Sequence, residues 1–167
     1  LEMSELRSVP CEDDVELGPL SEEVLTDLAP LAENKGIALN CAGDALVIGS
    51  DTLLYRLVFN LVENAIRYSR PGSTVNVSIC DNDSHVFLRV EDQGPGIPKQ
   101  YRESIFQPFF RLDKSRSRAY GGAGLGLALV WEIAALHGGT VEVETSSENG
   151  TTMLASLPKR SAALTEQ

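Results

Sequence analysis

The sequence is poor in cysteine, histidine and aromatic residues: its 167 residues include three cysteines, two histidines and 6% aromatics. Cys11, Cys41 and Cys80 make no CxxC pair and leave an odd count, which argues against a disulfide framework or a zinc site and fits a reducing compartment. Long apolar runs are also missing. The longest, Ala123–Trp131, is punctuated by glycines and falls well short of the roughly 20 residues that a membrane-spanning helix needs. Leu1–Pro10 is acidic and has no apolar centre, so it does not read as a signal peptide. Bases are scarce at one end. Residues 1–34 hold ten acids and a single base, Arg7, whereas residues 35–167 hold fourteen acids and thirteen bases. The net charge of -10 is therefore a property of the N-terminal fifth. A broad nucleic-acid-binding surface needs a Lys/Arg excess to displace counterions, and this chain has none.

What is present is the composition of a folded domain. A hydrophobic fraction of 43% argues against disorder, and the length suits one domain. The first residue is Leu, so the expectation is a piece of a longer protein.

Val15-Glu16-Leu17 reads as a short edge strand and Gly18-Pro19 as a turn. Ser21 is a plausible N-cap, with Glu22 and Glu23 in a first turn where acids suit the dipole. Val24, Leu25, Leu28, Leu31 and Ala32 then recur at helical spacing up to Asn34, with Lys35-Gly36 as the stop. Residues 37–40 and 45–48 read as a hairpin around Gly43-Asp44. Gly49-Ser50-Asp51 caps a long helix, Thr52 to Ser69, closed by Pro71-Gly72. Strands Thr74–Cys80 and His85–Glu91 follow, joined by the polar turn Asp81-Asn82-Asp83-Ser84, which lacks the glycine of a calcium loop. Residues 92–123 are rich in loop, with a short helix at Lys99–Phe106. A buried helix runs from Gly124 to His137, where a cation would suit the dipole. Strands Thr140–Thr145 and Thr151–Leu157 close the domain. The pattern predicts an α+β, two-layer α/β sandwich of about five strands covered on one face by about three helices.

Four segments carry polar residues that a plain fold does not need. On the long helix, Asn60, Asn64 and Arg67 fall within about 60° of one another, while Leu54, Leu57, Val58, Leu61, Val62 and Ala65 point elsewhere. Asn is a mediocre helix former, and its oxygen can ligate Mg²⁺. An ordinary amphipathic helix with a solvated polar face explains the pattern equally well. Asp92-Gln-Gly94-Pro-Gly96-Ile97 follows a strand, where a carboxylate can accept from an exocyclic amine. Alone, it would read as a Gly-Pro turn. Gly121-Gly122-Ala-Gly124-Leu125-Gly126 opens a helix, where free N–H groups and glycines can cradle phosphate. No strand runs straight into it and no GxxxxGK[ST] exists, so a dinucleotide fingerprint and a P-loop are excluded. Finally, Arg111, Lys114, Arg116 and Arg118 gather four of fourteen bases within eight residues, which suits either a flap over phosphates or a solvated loop. Ile105-Phe106-Gln-Pro-Phe109-Phe110 reads as packing that anchors it.

Taken in order, these segments resemble the catalytic ATP-binding domain of sensor histidine kinases, in the superfamily shared with gyrase, the heat-shock chaperone of ninety kilodaltons and the MutL proteins. The N box is matched by Asn60-Leu-Val-Glu-Asn64-Ala-Ile-Arg67-Tyr68. The two glycine boxes are matched by Asp92–Ile97 and Gly122–Leu127, the F box by Ile105–Arg111, and a small glycine turn by Gly150-Thr151-Thr152. The resemblance covers about residues 20–158 and implies the same sandwich, the Bergerat ATP-binding fold.

The resemblance implies ATP and Mg²⁺ as cofactors. Asn64 would ligate the metal, Asn60 would support metal and phosphates, and Arg67 would take the basic place beside the phosphates. Tyr68 would flank the adenine and Asp92 would bind its N6 amine. Gly94, Gly96, Ile97, Gly122, Gly124, Leu125 and Gly126 would shape the pocket. Arg111 and the bases Lys114, Arg116 and Arg118 would lie over the β and γ phosphates. Relatives that hydrolyse ATP place Glu where this chain has Asn60, so transfer to a protein is favoured over hydrolysis. Glu63, four residues before Arg67, reads as an ion-pair partner before it reads as a substitute base.

The acceptor histidine of the family lies on a dimerising helical hairpin. Neither His85 nor His137 fits that place, so the acceptor is expected in an upstream dimerisation and phosphoacceptor domain. Residues 1–14 would be its remnant and linker, 15–158 the catalytic domain, and 159–167 a tail. A response regulator is the implied downstream partner, without nucleic acid. The chain is expected to be a monomeric cytoplasmic domain of a homodimer anchored in the inner membrane. Two other readings stand beside this one: a serine kinase that inhibits a sigma factor, and a non-catalytic nucleotide-binding module.

Overall fold

The computed structural model describes residues 12–110 and 126–159. Within them β1 (Asp13–Glu16) leads into α1 (Leu17–Lys35), followed by β2 (Ala38–Gly43), β3 (Leu46–Gly49) and α2 (Asp51–Tyr68). Then come β4 (Thr74–Asp81), β5 (His85–Glu91), two short 3-10 turns at Lys99–Tyr101 and Ser104–Phe106, α3 (Gly126–Leu136), β6 (Thr140–Ser147) and β7 (Gly150–Pro158). Five strands form one mixed sheet in the order β2-β4-β5-β7-β6, in which only β2 and β4 run parallel. The three described helices pack side by side on one face, α2 between α1 and α3. This is the two-layer sandwich that the sequence pattern predicts.

α2 forms for local reasons. The Ser50 side chain accepts from Leu53 N at 3.2 Å and caps the first turn. Leu54, Leu57, Val58, Leu61 and Val62 recur at helical spacing and are all fully buried or nearly so. They meet Val75, Val77 and Ile79 of β4 and Val86, Leu88 and Val90 of β5, which alternate inward as a half-buried sheet requires. Val90 stands opposite Met153, and Leu88 opposite Ala155, so β7 continues the same apolar layer.

Three local expectations are corrected. Ser21 is not a cap, because α1 already begins at Leu17, and Ser21 is buried inside it with Glu22 and Glu23 beyond the first turn. Gly18-Pro19 lies in that first turn, where proline costs no hydrogen bond. The missing cap is supplied from a distance: the Gly18 N–H donates to Asp44 Oδ1 at 2.6 Å and Leu17 N to Ala45 O at 3.0 Å. The hairpin over 37–48 does not exist. β2 pairs in parallel with β4, and β3 pairs antiparallel with β1 in a separate two-stranded sheet. The helix expected over Lys99–Phe106 is two 3-10 turns.

Two side-chain expectations also change. α3 is buried along one side only, through Val130, Ile133 and Ala134, and Trp131 is half exposed. His137, expected as a cation at its end, is 3% exposed, and burial pushes its pKa down. Gly36, in the left-handed region at φ 74, does end α1 as expected. Burial and the nearby Glu22 push the Cys41 thiol up to about 11, which makes it a poor nucleophile. Among the described residues no helix is long and apolar enough to cross a membrane.

Candidate functional site

Asp92 sits just past the end of β5 and is 6% exposed. Its Oδ1 accepts from Gly94 N at 2.9 Å and from Thr151 N at 3.1 Å. Among the described residues nothing donates to Oδ2, which leaves one oxygen of a buried carboxylate for a ligand. Burial raises the Asp92 pKa, and the two N–H bonds oppose that rise. The backbone around it is closely fitted. A Cβ at Gly94 would lie 2.3 Å from Tyr68 O, and one at Gly150 would lie 2.1 Å from Asp92 O. Gly94 thus joins the first glycine segment to the end of α2, and Gly150 joins the β6–β7 turn to Asp92.

The next residue, Gln93, fastens this strand end to its surroundings. Its N–H donates to Ser69 Oγ at 3.2 Å, its carbonyl accepts from Arg70 Nη1 at 3.2 Å, and its Oε1 accepts from Thr74 N at 2.7 Å. Arg70 Nη2 reaches on to Glu148 O at 2.7 Å. Ile97 N donates to Ser146 Oγ at 2.8 Å, and Arg102 holds both Ile97 O and Ser146 O, each at 3.2 Å. Ser69, Arg70, Gln93, Arg102, Ser146 and the Thr151 backbone were not read from the sequence. A backbone N–H carries no residue-type signal. The two arginines act on carbonyls, so no neighbouring acid marks them.

Asn60, Asn64, Arg67 and Tyr68 lie on the second half of α2, and all are at least partly exposed. Asn60 Nδ2 donates to Arg56 O at 2.9 Å, which turns Oδ1 away from its own helix. A Cβ at Gly126, the first residue of α3, would stand 3.7 Å from that Oδ1. Asn64 has no hydrogen-bond partner among the described residues. Arg67 faces Glu63 at 3.6 Å, the ion pair expected from the i,i+4 spacing. The structure thus places Asn60 beside Gly126, and the Tyr68 backbone carbonyl beside Gly94.

The amide oxygens of Asn60 and Asn64, which accept no hydrogen bond from the described residues, are hard donors that fit Mg²⁺, which takes few protein ligands and keeps its waters and phosphates. No group of three or more His, Cys, Asp or Glu gathers to hold a metal among the described residues, so a site closed by protein ligands of that kind is not what these residues build. Arg111, Lys114, Arg116, Arg118, Gly122, Gly124 and Leu125 lie outside the described residues.

The F-box expectation holds in part. Ile105 and Phe106 are buried, Phe106 lies 5.6 Å from the Trp131 ring, and Phe110 lies 5.7 Å from Tyr101. Phe109 does not pack. It is 70% exposed with φ 64, a region disfavoured for a side chain of that bulk.

Comparison with known proteins gives three concordant results. The family described as histidine kinase-, DNA gyrase B-, and HSP90-like ATPase matches residues 49–161. The sensor-like histidine kinase SenX3 of Mycobacterium tuberculosis is 37% identical over 163 residues, which cover 95% of this chain and 40% of that protein. The chain therefore spans well under half of such relatives. Among solved structures, the mycobacterial sensor histidine kinase MprB superposes with a TM-score of 0.78 at 31% identity, covering 90% of this chain and 99% of that one. Histidine kinase ThkA, solved in complex with the response regulator protein TrrA, superposes with a TM-score of 0.72 at 27% identity, covering 89% and 42%.

Proposed function

We propose a function from one premise: the chain belongs to the histidine kinase-, DNA gyrase B- and HSP90-like ATPase family, as the ATP-binding catalytic domain of a sensor histidine kinase. It binds Mg-ATP and donates the γ-phosphoryl group to a histidine on a dimerising helical hairpin elsewhere in the full protein. An imidazole nitrogen bonds to the γ-phosphorus, the bond to the β,γ-bridging oxygen breaks, and ADP leaves. The phosphoryl group then passes to a response regulator. That the related ThkA was solved with one supports this step. The whole protein acts as a homodimer anchored in the inner membrane, with residues 15–158 as its cytoplasmic catalytic domain.

The observation that carries the reading is the buried Asp92 carboxylate with one oxygen fixed by two N–H groups and the other receiving no hydrogen bond from the described residues. It accepts from the adenine N6 amine and meets a carbonyl when guanine is offered, so it selects the base. Tyr68 flanks the adenine, and Gly94, Gly96 and Ile97 form the pocket wall. Asn64 and Asn60 hold Mg²⁺, which neutralises charge on the phosphates when bound. Arg67, Arg111, Lys114, Arg116 and Arg118 contact the phosphates, and Gly122, Gly124, Leu125 and Gly126 complete the enclosure.

Position 60 offers no carboxylate to activate water, which favours transfer over hydrolysis. Neither histidine of the chain suits the acceptor role. His137 is buried, and His85 opens a strand with its Nδ1 2.8 Å from Ser84 Oγ.

The test is titration calorimetry with Mg-ATP, Mg-GTP and adenosine, followed by incubation with γ-labelled ATP. The expected result is ATP binding in preference to GTP, with label reaching a supplied hairpin of the full protein and not the chain itself. Absence of adenine-nucleotide binding would overturn the reading.

A further inference from the structure

We propose that His137 is a positioning residue for the phosphate and metal end of the site: its imidazole pins the C-terminal end of α3 to the cap of α2 and thereby sets where Gly126 stands against Asn60. This rests on the nucleotide-binding reading above.

The ring is held from both sides. Nδ1 lies 2.8 Å from Ile133 O, a carbonyl that can only accept, so the proton is on Nδ1. Nε2 is then the acceptor, and it receives the backbone N–H of Ser50 at 3.1 Å. Ser50 is the N-cap residue of α2, and its own Oγ serves Leu53 N. The ring also lies against Gly49, where a Cβ would come within 2.4 Å of His137 Cδ2 and 2.5 Å of Nε2. One imidazole therefore bridges the last turn of one helix to the first turn of another.

The lever follows from helix geometry. α2 and α3 pack against each other, with the C-terminal end of α3 at the N-terminal end of α2. Ser50 to Asn60 is ten residues and Gly126 to His137 is eleven. At about 1.5 Å per residue the two spans come to roughly 15 and 17 Å. The two contact points, Ser50 with His137 and Asn60 with Gly126, are thus the ends of two matched antiparallel rods. Fixing one end fixes the axial position of the other. Removing the acceptor leaves a buried N–H unpaired and frees the rods to slide or tilt, displacing the Gly126 end while Asp92, held by β5 and β7, stays in place.

The experiment compares the 167-residue chain with H137F and H137Q, measuring Mg-ATP affinity, adenosine affinity and melting temperature. Phe keeps a ring without an acceptor, and Gln offers an acceptor near the place of Nε2. H137F is expected to weaken Mg-ATP binding roughly tenfold, the scale of one stranded buried donor, with less than about twofold change for adenosine. H137Q should recover most of that loss.

The pH profile gives a second readout. A protonated ring presents two donors, so the Mg-ATP to adenosine affinity ratio of the wild type should fall below the ordinary imidazole range, where H137Q should not follow. The ligand's own titration cancels in that comparison. Burial holds the ring neutral against the opposing effects of the Ile133 carbonyl and of Glu12, the charged group felt at the ring.

Equal losses for Mg-ATP and adenosine, or a lower melting temperature with unchanged affinities, would overturn the proposal. If H137F does not fold, identical pH profiles for wild type and H137Q would do the same. A wild type that binds neither ligand defeats the nucleotide reading and this one together. A wild type that binds both, with variants that differ only in stability, defeats this one alone.

Discussion

Asp92 and Gln93 are tied by hydrogen bonds to Ser69, Arg70, Thr74, Gly94 and Thr151, contributed by four separate parts of the chain. On α2, by contrast, among the described residues the Asn64 side chain has no partner and the Asn60 side chain is bonded only to its own helix, and Arg67 meets Glu63 at 3.6 Å with both side chains more than a quarter exposed. In the proposed function the first region reads the base and the second receives metal and phosphates. The base end is ordered by folding, so adenine meets a preformed acceptor at little entropic cost. In the same proposal the phosphate end would be ordered by its ligand, so part of the binding energy there would go into fixing side chains. Selectivity should therefore reside at Asp92, and Mg²⁺ dependence at the asparagines.

Substitutions can break this contrast, beginning with the most damaging. Gly150→Ala puts a Cβ 2.1 Å from Asp92 O at a φ of 146. It should cost about 3 kcal/mol of stability or more and abolish nucleotide binding. Urea denaturation and calorimetry check both, and an unchanged unfolding midpoint would mean that the strand end is not rigid. Asp92→Asn should weaken ATP by about 1.5–3 kcal/mol and erase the preference over GTP. The wild type carries a related signature in pH. Its Asp92 pKa is raised, so the acceptor is protonated, and adenosine affinity falls, at a higher pH than for an ordinary Asp. A profile that stays flat down to the usual carboxylate range would argue against that assignment.

Asn64→Ala acts at the other end. It should remove the Mg²⁺-dependent part of ATP affinity, about tenfold, and leave adenosine binding intact. Equal ATP affinities for variant and wild type in the presence of Mg²⁺ would contradict the role. The smallest effect belongs to Glu63→Gln. Breaking a partly exposed i,i+4 pair should change stability by less than about 0.5 kcal/mol. Residual ATP hydrolysis, followed by phosphate release, should not change, whereas a large drop would make Glu63 a base.

Much of this was legible in the sequence, for identifiable reasons. α2 announces itself because cap, apolar stripe and stop are all local. β4 and β5 do so because their alternation matches a half-buried sheet. The start of α1 was misplaced because Asp44, twenty-six residues away, supplies its hydrogen bonding. β2 was misassigned because parallel pairing with β4 is a long-range choice that no turn signal records. At the site, Asp92 and the asparagines stand out by residue type and position. The groups that hold Asp92 in place are backbone N–H donors, and these are the same in every sequence.

β7 comes after the other described strands in the chain, yet it lies inside the sheet between β5 and β6, and its Thr151 N–H helps fix Asp92. Translation therefore delivers Asn60, Asn64 and Asp92 well before the strand whose Thr151 N–H holds the Asp92 carboxylate. A nascent chain halted before residue 150 carries the asparagine helix and both glycine segments, but its sheet is split where β7 belongs. Such a chain has the letters of a nucleotide site without the pocket. The capacity to distinguish one base from another should emerge abruptly, when β7 clears the ribosome and inserts.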